Sequence, residues 1–191
     1  MRRFAQIGYL AVLLAVGGCL SVRASGKSFT PQGLAAPGWT GTPNVPVLHQ
    51  TRELDCGPVA AAMLLGFWGR PAAPDALRAE AGVPTSHGLT AGTVRDLVKA
   101  RGLEAYLVEG DVADLERELA AGRPVLVGLA KPFSDKEAIG HYEIVAGVNR
   151  TDGRVATIDP AAGWREVPIK EFMAEWDPTK RLTLIVAPAA D

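Results

Sequence analysis

The chain has 191 residues, 48% of them hydrophobic, with 20 lysines and arginines against 21 aspartates and glutamates. That length and apolar content fit one globular domain with a sizeable core and exclude a largely disordered chain. A net charge of −1 without a basic cluster excludes a surface built for nucleic acid.

Arg2 and Arg3 precede the apolar run Ile7 to Val16, which is too short to span a bilayer and reads as a secretory signal. The run closes in Val16-Gly17-Gly18-Cys19, which resembles the cleavage box of a bacterial lipoprotein. Residues 1–18 are therefore assigned to a lipoprotein signal and Cys19 to lipidation; ordinary cleavage near Ala24, discarding Cys19, is the alternative. Leu20, rather than an aspartate, resembles the pattern that sorts lipoproteins to the outer membrane. The expected location is the bacterial envelope, anchored by lipid and facing the periplasm, since each buried CH₂ of an acyl chain contributes about 0.8 kcal/mol. Without the signal, 18 basic side chains face 21 acidic ones, a net charge of −3.

Residues 19–44 are rich in Ser, Gly, Thr and Pro without apolar periodicity and read as a flexible tether, leaving 45–188 as the domain. Gly26-Lys27-Ser28 matches the end of a phosphate loop. Ser21 stands where that loop needs its first glycine and no strand precedes it, so the match is treated as chance.

From Gly57 to Gly69 the chain is apolar on all sides, as in a centrally buried helix, and Pro58 requires that helix to start near Cys56. Shorter helices are expected over Pro74 to Ala81 and Thr90 to Ala100, separated by a polar loop around His87. A strand over Glu104 to Glu109 leads to a helix capped by Asp111 and closed at Gly122. Strands follow at Pro124 to Leu129, His141 to Val148, Arg154 to Ile158 and Leu182 to Ala187. A short amphipathic helix, Ile169 to Trp176, precedes the last of them. Asp152-Gly153 marks a hairpin turn. The fold class is α+β, with early helices packed on a late antiparallel sheet.

If Cys19 is lipidated or discarded, Cys56 is the remaining free thiol, unusual in an oxidising compartment. It stands at a helix start, where N–H groups and the helix dipole favour a thiolate, with the Gln50 amide six residues upstream. His141 opens one strand and Asp159 ends the next, so antiparallel pairing places them side by side as a candidate base and its orienting carboxylate. Asp55 would oppose thiol ionisation if it pointed inward; a cap or loop hydrogen bond is the expected role.

The order Gln50, Cys56, His141, Asp159, the run Asp55-Cys56-Gly57-Pro58, the strand Gly140 to Val148 and Ile158-Asp159-Pro160 resemble the papain-like bacteriocin-processing peptidases, including stand-alone lipoprotein members. The resemblance covers roughly Val45 to Val186. It implies a papain-like fold with Cys56 as nucleophile, His141 as general base and acid, Asp159 as orienting residue and Gln50 as oxyanion donor. A second oxyanion donor would be the Cys56 N–H. The expected activity is peptide-bond hydrolysis through an acyl-enzyme on a peptide or protein substrate, with no cofactor. A further partner in the envelope or a secretion system stays unnamed.

The family's best-known members cut double-glycine leaders ahead of transporter domains that do not occur in this sequence, so that substrate does not transfer automatically. Two other classes stand beside the endopeptidase: a papain-like cell-wall hydrolase or amide transferase, and a non-catalytic peptide-binding module. Glu143 shares a strand face with His141 where an apolar residue is expected; it is either a hydrogen-bonded sheet residue or a substrate contact. The polar stretch Lys131 to Ile139 is expected to flank the cleft. His49 and His87 read as loop residues, and Trp68, Trp164 and Trp176 as packing. The absence of Cys-x-x-Cys, His-Glu-x-x-His or an acidic calcium loop argues against a metal site.

Overall fold

The computed structural model describes residues 24–132 and 137–189. The signal segment and Cys19 lie outside the described residues.

Two short strands, β1 (Lys27–Ser28) and β2 (Thr40–Gly41), flank a 3-10 turn at Pro31–Ala35. Three helices follow, α1 (Cys56–Phe67), α2 (Pro74–Ala81) and α3 (Ala91–Lys99), then β3 (Leu103–Glu109) and α4 (Val112–Ala120). The remainder is β4 (Val125–Pro132), β5 (Ala138–Asn149), β6 (Arg154–Asp159), β7 (Gly163–Pro168), α5 (Ile169–Trp176), a second 3-10 turn at Asp177–Thr179 and β8 (Leu182–Pro188). Every pairing is antiparallel, in the order β1-β7-β6-β5-β4-β8-β3, with β2 laid along β5.

The sheet is covered on both faces, and strand alternation explains how. Leu126, Ile144, Ala146 and Ile158 join α1 and α3 in one core. Val125, Val127, Val145 and Val155 turn the other way and meet Leu115, Leu119, Phe172 and Trp176 of α4 and α5. Buried from Cys56 to Leu65, α1 has no polar stripe to expose, which accounts for its place in the middle of the first core. The local signals act as expected. Asp111 and Asp114 form a reciprocal capping box on α4, and Asn149 Oδ1 accepts from the Asp152 N–H at 2.9 Å to set the β5–β6 turn.

The α+β architecture, with the helix that starts at Cys56 packed on an antiparallel sheet, agrees with the sequence reading, but three details differ. The stretch from Ser25 to Thr42 is docked rather than free: Lys27↔Glu166 and Thr40↔Val148 pair it to the sheet, and Leu34 is buried in the first core with Phe29 and Trp39 against it. These anchors are spaced too irregularly to show a helix or strand period. The docking is close, since a Cβ on Gly147 would lie 2.4 Å from Leu34 Cδ2. Next, β7 was not anticipated, because Arg165 and Glu166 interrupt its apolar alternation; both sit half-buried, and Arg165 Nε donates to the Ser25 carbonyl at 3.0 Å. Finally, β4 runs on through Pro132 and β5 begins at Ala138, so His141 lies inside its strand and Lys131 is in the sheet, not on the rim of a cleft.

Candidate active site

Cys56 occupies the first turn of α1 and is 6% exposed. The residue before it, Asp55, is buried and its charge is matched twice: Arg52 Nε lies 2.6 Å from Oδ2, and Arg78 Nη2 lies 2.5 Å from Oδ1. The carboxylate is therefore compensated before it can oppose a thiolate next door. Arg78, on α2, also donates to the carbonyls of Leu54 at 2.5 Å, Pro84 at 3.2 Å and His87 at 3.0 Å. One buried guanidinium thus ties the loop before Cys56 to the loop that carries Gly88 and Leu89.

On the sheet side, His141 and Asp159 come together as antiparallel pairing requires. His141 Nε2 lies 2.8 Å from Asp159 Oδ1, which also accepts from the Ala161 N–H at 2.7 Å. His141 is 2% exposed and Asp159 is fully buried. The other ring nitrogen, Nδ1, is buried without a hydrogen-bond partner, and the Cys56 thiol neighbours the imidazole. Burial disfavours the His141 imidazolium, but the Asp159 hydrogen bond and the neighbouring Cys56 outweigh it and lift the pKa to about 10. Burial likewise opposes ionisation of Asp159, yet His141, the Ala161 N–H and the charge of Lys131 hold its carboxyl below the usual range.

Gln50 reaches the same place from the loop. Its backbone N–H donates to the Pro160 carbonyl at 2.9 Å, which fixes it beside the Asp159 turn. One amide hydrogen goes to the Glu53 carbonyl at 3.1 Å, so the side chain is held while its second hydrogen stays available. All four expected positions therefore converge on one region. His49 and His87 do not: His49 is exposed against the β6–β7 turn at Gly163, and His87 Nδ1 lies 3.0 Å from its neighbour Ser86 Oγ.

A cleft of about 190 Å³ opens between Cys56 and His141, walled by Leu54, Leu89, Leu182 and Tyr142 with Gly88 and Gly128 in its floor and sides. Burial, with the neighbouring Cys56, pushes the Tyr142 phenol up to about 12, so it is a neutral donor, and it donates to the Leu89 carbonyl at 3.2 Å. A larger open groove of about 750 Å³ lies between α3 and β3, but neither a thiol nor an imidazole lines it. The arrangement at Cys56 suits acyl transfer: a thiol at a helix start, a ring nitrogen beside it, a carboxylate behind the ring and an apolar slot.

Among the described residues, His141, Glu143 and Asp159 are the group whose donor atoms stand close enough to share a metal, within 4.8 Å of one another. Positive charge is already supplied there by Lys131, whose Nζ is 2.6 Å from Glu143 Oε1, and the His141–Asp159 hydrogen bond occupies two of the donors. Sequence reasoning missed Lys131 and Arg78. Lys131 had left a signal, since it continues the inward series Val125, Val127, Leu129 at every second position.

The sequence model of the peptidase C39 family matches residues 44–191. The transport/processing ATP-binding protein ComA of Streptococcus pneumoniae is 27% identical over 146 residues, covering 74% of this chain and 18% of that protein; the chain thus spans under a fifth of this relative's length. The peptidase domain of Streptococcus ComA, a bi-functional ABC transporter of a quorum-sensing pathway, superposes with a TM-score of 0.64 at 22% identity, covering 76% of this chain and all of that one. A double-glycine-motif protease from an AMS/PCAT transporter, in complex with its leader peptide, gives a TM-score of 0.61 at 24% identity over 78% of this chain and 95% of that one. A family match over most of the chain, a shared fold and a thiol–imidazole–carboxylate site agree: the chain is a cysteine peptidase of the peptidase C39 family.

Proposed function

We propose that Cys56, His141 and Asp159 form the catalytic triad of an envelope-tethered endopeptidase, with Gln50 and the Cys56 N–H as oxyanion donors. The observation that carries this reading is the His141 ring held by Asp159 at 2.8 Å through Nε2, with Nδ1 unpartnered and Cys56 beside the imidazole. The Cys56 thiolate attacks the scissile carbonyl, and the oxyanion is met by the free Gln50 amide hydrogen and the Cys56 N–H. His141 gives its proton to the departing amine, the C–N bond breaks, and a thioester remains on Cys56. His141 then takes a proton from water, the hydroxide attacks the thioester, the C–S bond breaks, and the acid product leaves with the ion pair restored.

The slot beside Cys56 is apolar and narrow, which favours a peptide with small or aliphatic residues next to the scissile bond. A relative in complex with a leader peptide supports a peptide substrate. Residues 1–18 would direct export, and lipid on Cys19 would hold the domain at the envelope, on the outer membrane's periplasmic side.

Wild type is expected to cleave a peptide library and to be alkylated by iodoacetamide at pH 6 to 7 faster than a free thiol, while Cys56→Ala does neither. Wild type without turnover or enhanced alkylation would refute the enzymatic reading. Mass analysis of the mature N-terminus tests the anchor, and an unmodified start beyond Cys19 would refute it.

A further inference from the structure

Lys131 has no exposed surface. A buried ammonium is costly unless matched by charge. Its Nζ lies 2.6 Å from Glu143 Oε1, 2.8 Å from Glu175 Oε2 and 3.0 Å from Ser25 Oγ. These partners come from β5, from α5 and from the segment ahead of β1, so four separate pieces of chain meet at one cation.

The network abuts the triad. Donor atoms of Glu143, Asp159 and His141 lie within 4.8 Å of one another. Asp159 Oδ1 is taken by His141 and the Ala161 N–H, whereas Oδ2 is buried without a hydrogen-bond partner. Two buried carboxylates so close would share a proton if nothing positive stood by. The charged and titratable groups facing this point are Lys131 from β4, His141 and Glu143 from β5, Asp159 from β6 and Glu175 from α5, with Cys56 of α1 beyond the imidazole.

We propose that Lys131 is a positioning residue for catalysis: its ammonium neutralises Glu143, so that Asp159 faces His141 as a full carboxylate, while Ser25 and Glu175 hold the ammonium in place. The proposal rests on the reading of Cys56, His141 and Asp159 as the triad. With Lys131 gone, Glu143 is an unmatched carboxylate beside Asp159, the His141 imidazolium must serve both, and one of the two takes up a proton at mildly acidic pH. His141 then loses countercharge, and the thiolate–imidazolium pair forms only at higher pH. Glu143 thus belongs to the support of the site and does not contact substrate.

The test is the rate of Cys56 alkylation by iodoacetamide against pH, on the full chain, with kcat and KM on a cleaved peptide measured alongside. Lys131→Met should raise the acid limb by about one pH unit or more and lower kcat with KM little changed. Lys131→Met combined with Glu143→Gln removes both charges and should return the limb toward wild type. Glu143→Gln alone keeps the ammonium and should move the limb down, which retains a readout if Lys131→Met does not fold. An unmoved limb in Glu143→Gln, or a double variant no closer to wild type than Lys131→Met, overturns the proposal. Wild-type alkylation without pH-dependent enhancement overturns the triad reading, and the proposal with it.

Discussion

Arg78 Nη2 stands 2.5 Å from Asp55 Oδ1, placing a buried ion pair one residue before Cys56. Because the same guanidinium also holds the carbonyls of Leu54, Pro84 and His87, it fixes both loops that wall the cleft. Arg78→Met leaves the Asp55 carboxylate with Arg52 alone and should cost about 3–5 kcal/mol, read as a lower urea midpoint. Arg78→Lys keeps the charge but not the planar fork, so it should recover part of the stability and little of the activity.

The pH dependence of stability should carry the signature of His141. Its folded pKa, about 10, lies above the ordinary imidazole value of 6.5, so the native state holds a proton that the unfolded chain releases across that interval. The stabilisation is complete below about pH 6.5 and is lost as pH rises through about 10. Urea midpoints between pH 6 and 10.5 should fall in wild type, and the fall should flatten in Asp159→Asn, which removes the carboxylate that holds the imidazolium. The alkaline limb of kcat/KM should move down in the same variant.

Gly128 controls the width of the cleft. A Cβ there would lie 2.9 Å from Leu182 Cδ2 and 3.5 Å from Tyr142 Cε1, so alanine displaces the flexible end of Leu182 rather than backbone. Gly128→Ala should fold normally and lower kcat/KM by about tenfold, chiefly through KM, since one methyl group in a tight slot is worth roughly 1–3 kcal/mol. Steady-state kinetics on the cleaved peptide and a thermal melt check both halves.

A chain that starts at Val45, the boundary read from sequence, should be crippled. It lacks the Leu34, Phe29 and Trp39 anchors, both short strands and the Ser25 contact to Lys131. Leu34→Ala, a milder probe, should cost about 2–3 kcal/mol in a urea titration, as large-to-small changes in cores do. A Val45 start with an unchanged midpoint would show the docking to be dispensable.

The contrast between what the sequence discloses and what it hides has a physical basis. The Cys56 helix, the α4 cap and the β5–β6 hairpin are announced by local chemistry: a proline in a first turn, an aspartate with its partner three residues on, an Asp-Gly turn. His141 and Asp159 could be paired because hairpin geometry converts sequence separation into distance. Nothing comparable marks Ser25, Phe29 or Leu34, which meet Glu175, Trp164 and Gly147, each more than a hundred residues away. Arg78 reads as an ordinary helix arginine until tertiary packing brings three carbonyls to it. Lys131 sits between these cases: its inward register was readable, but its carboxylate partners on β5 and α5 were not.

The docked N-terminal segment also sets a length. Had the linker run free to residue 44, an extended chain from Cys19 would allow the domain to roam about 80–90 Å from its anchor. With Ser25 clamped by Glu175, Lys131 and Arg165, the covalent chain sets an upper bound of about 20 Å on the distance from Cys19 to that clamp. Lipid on Cys19 would therefore confine the enzyme to the layer just above the bilayer, selecting substrates by their distance from the membrane before any side chain enters the cleft.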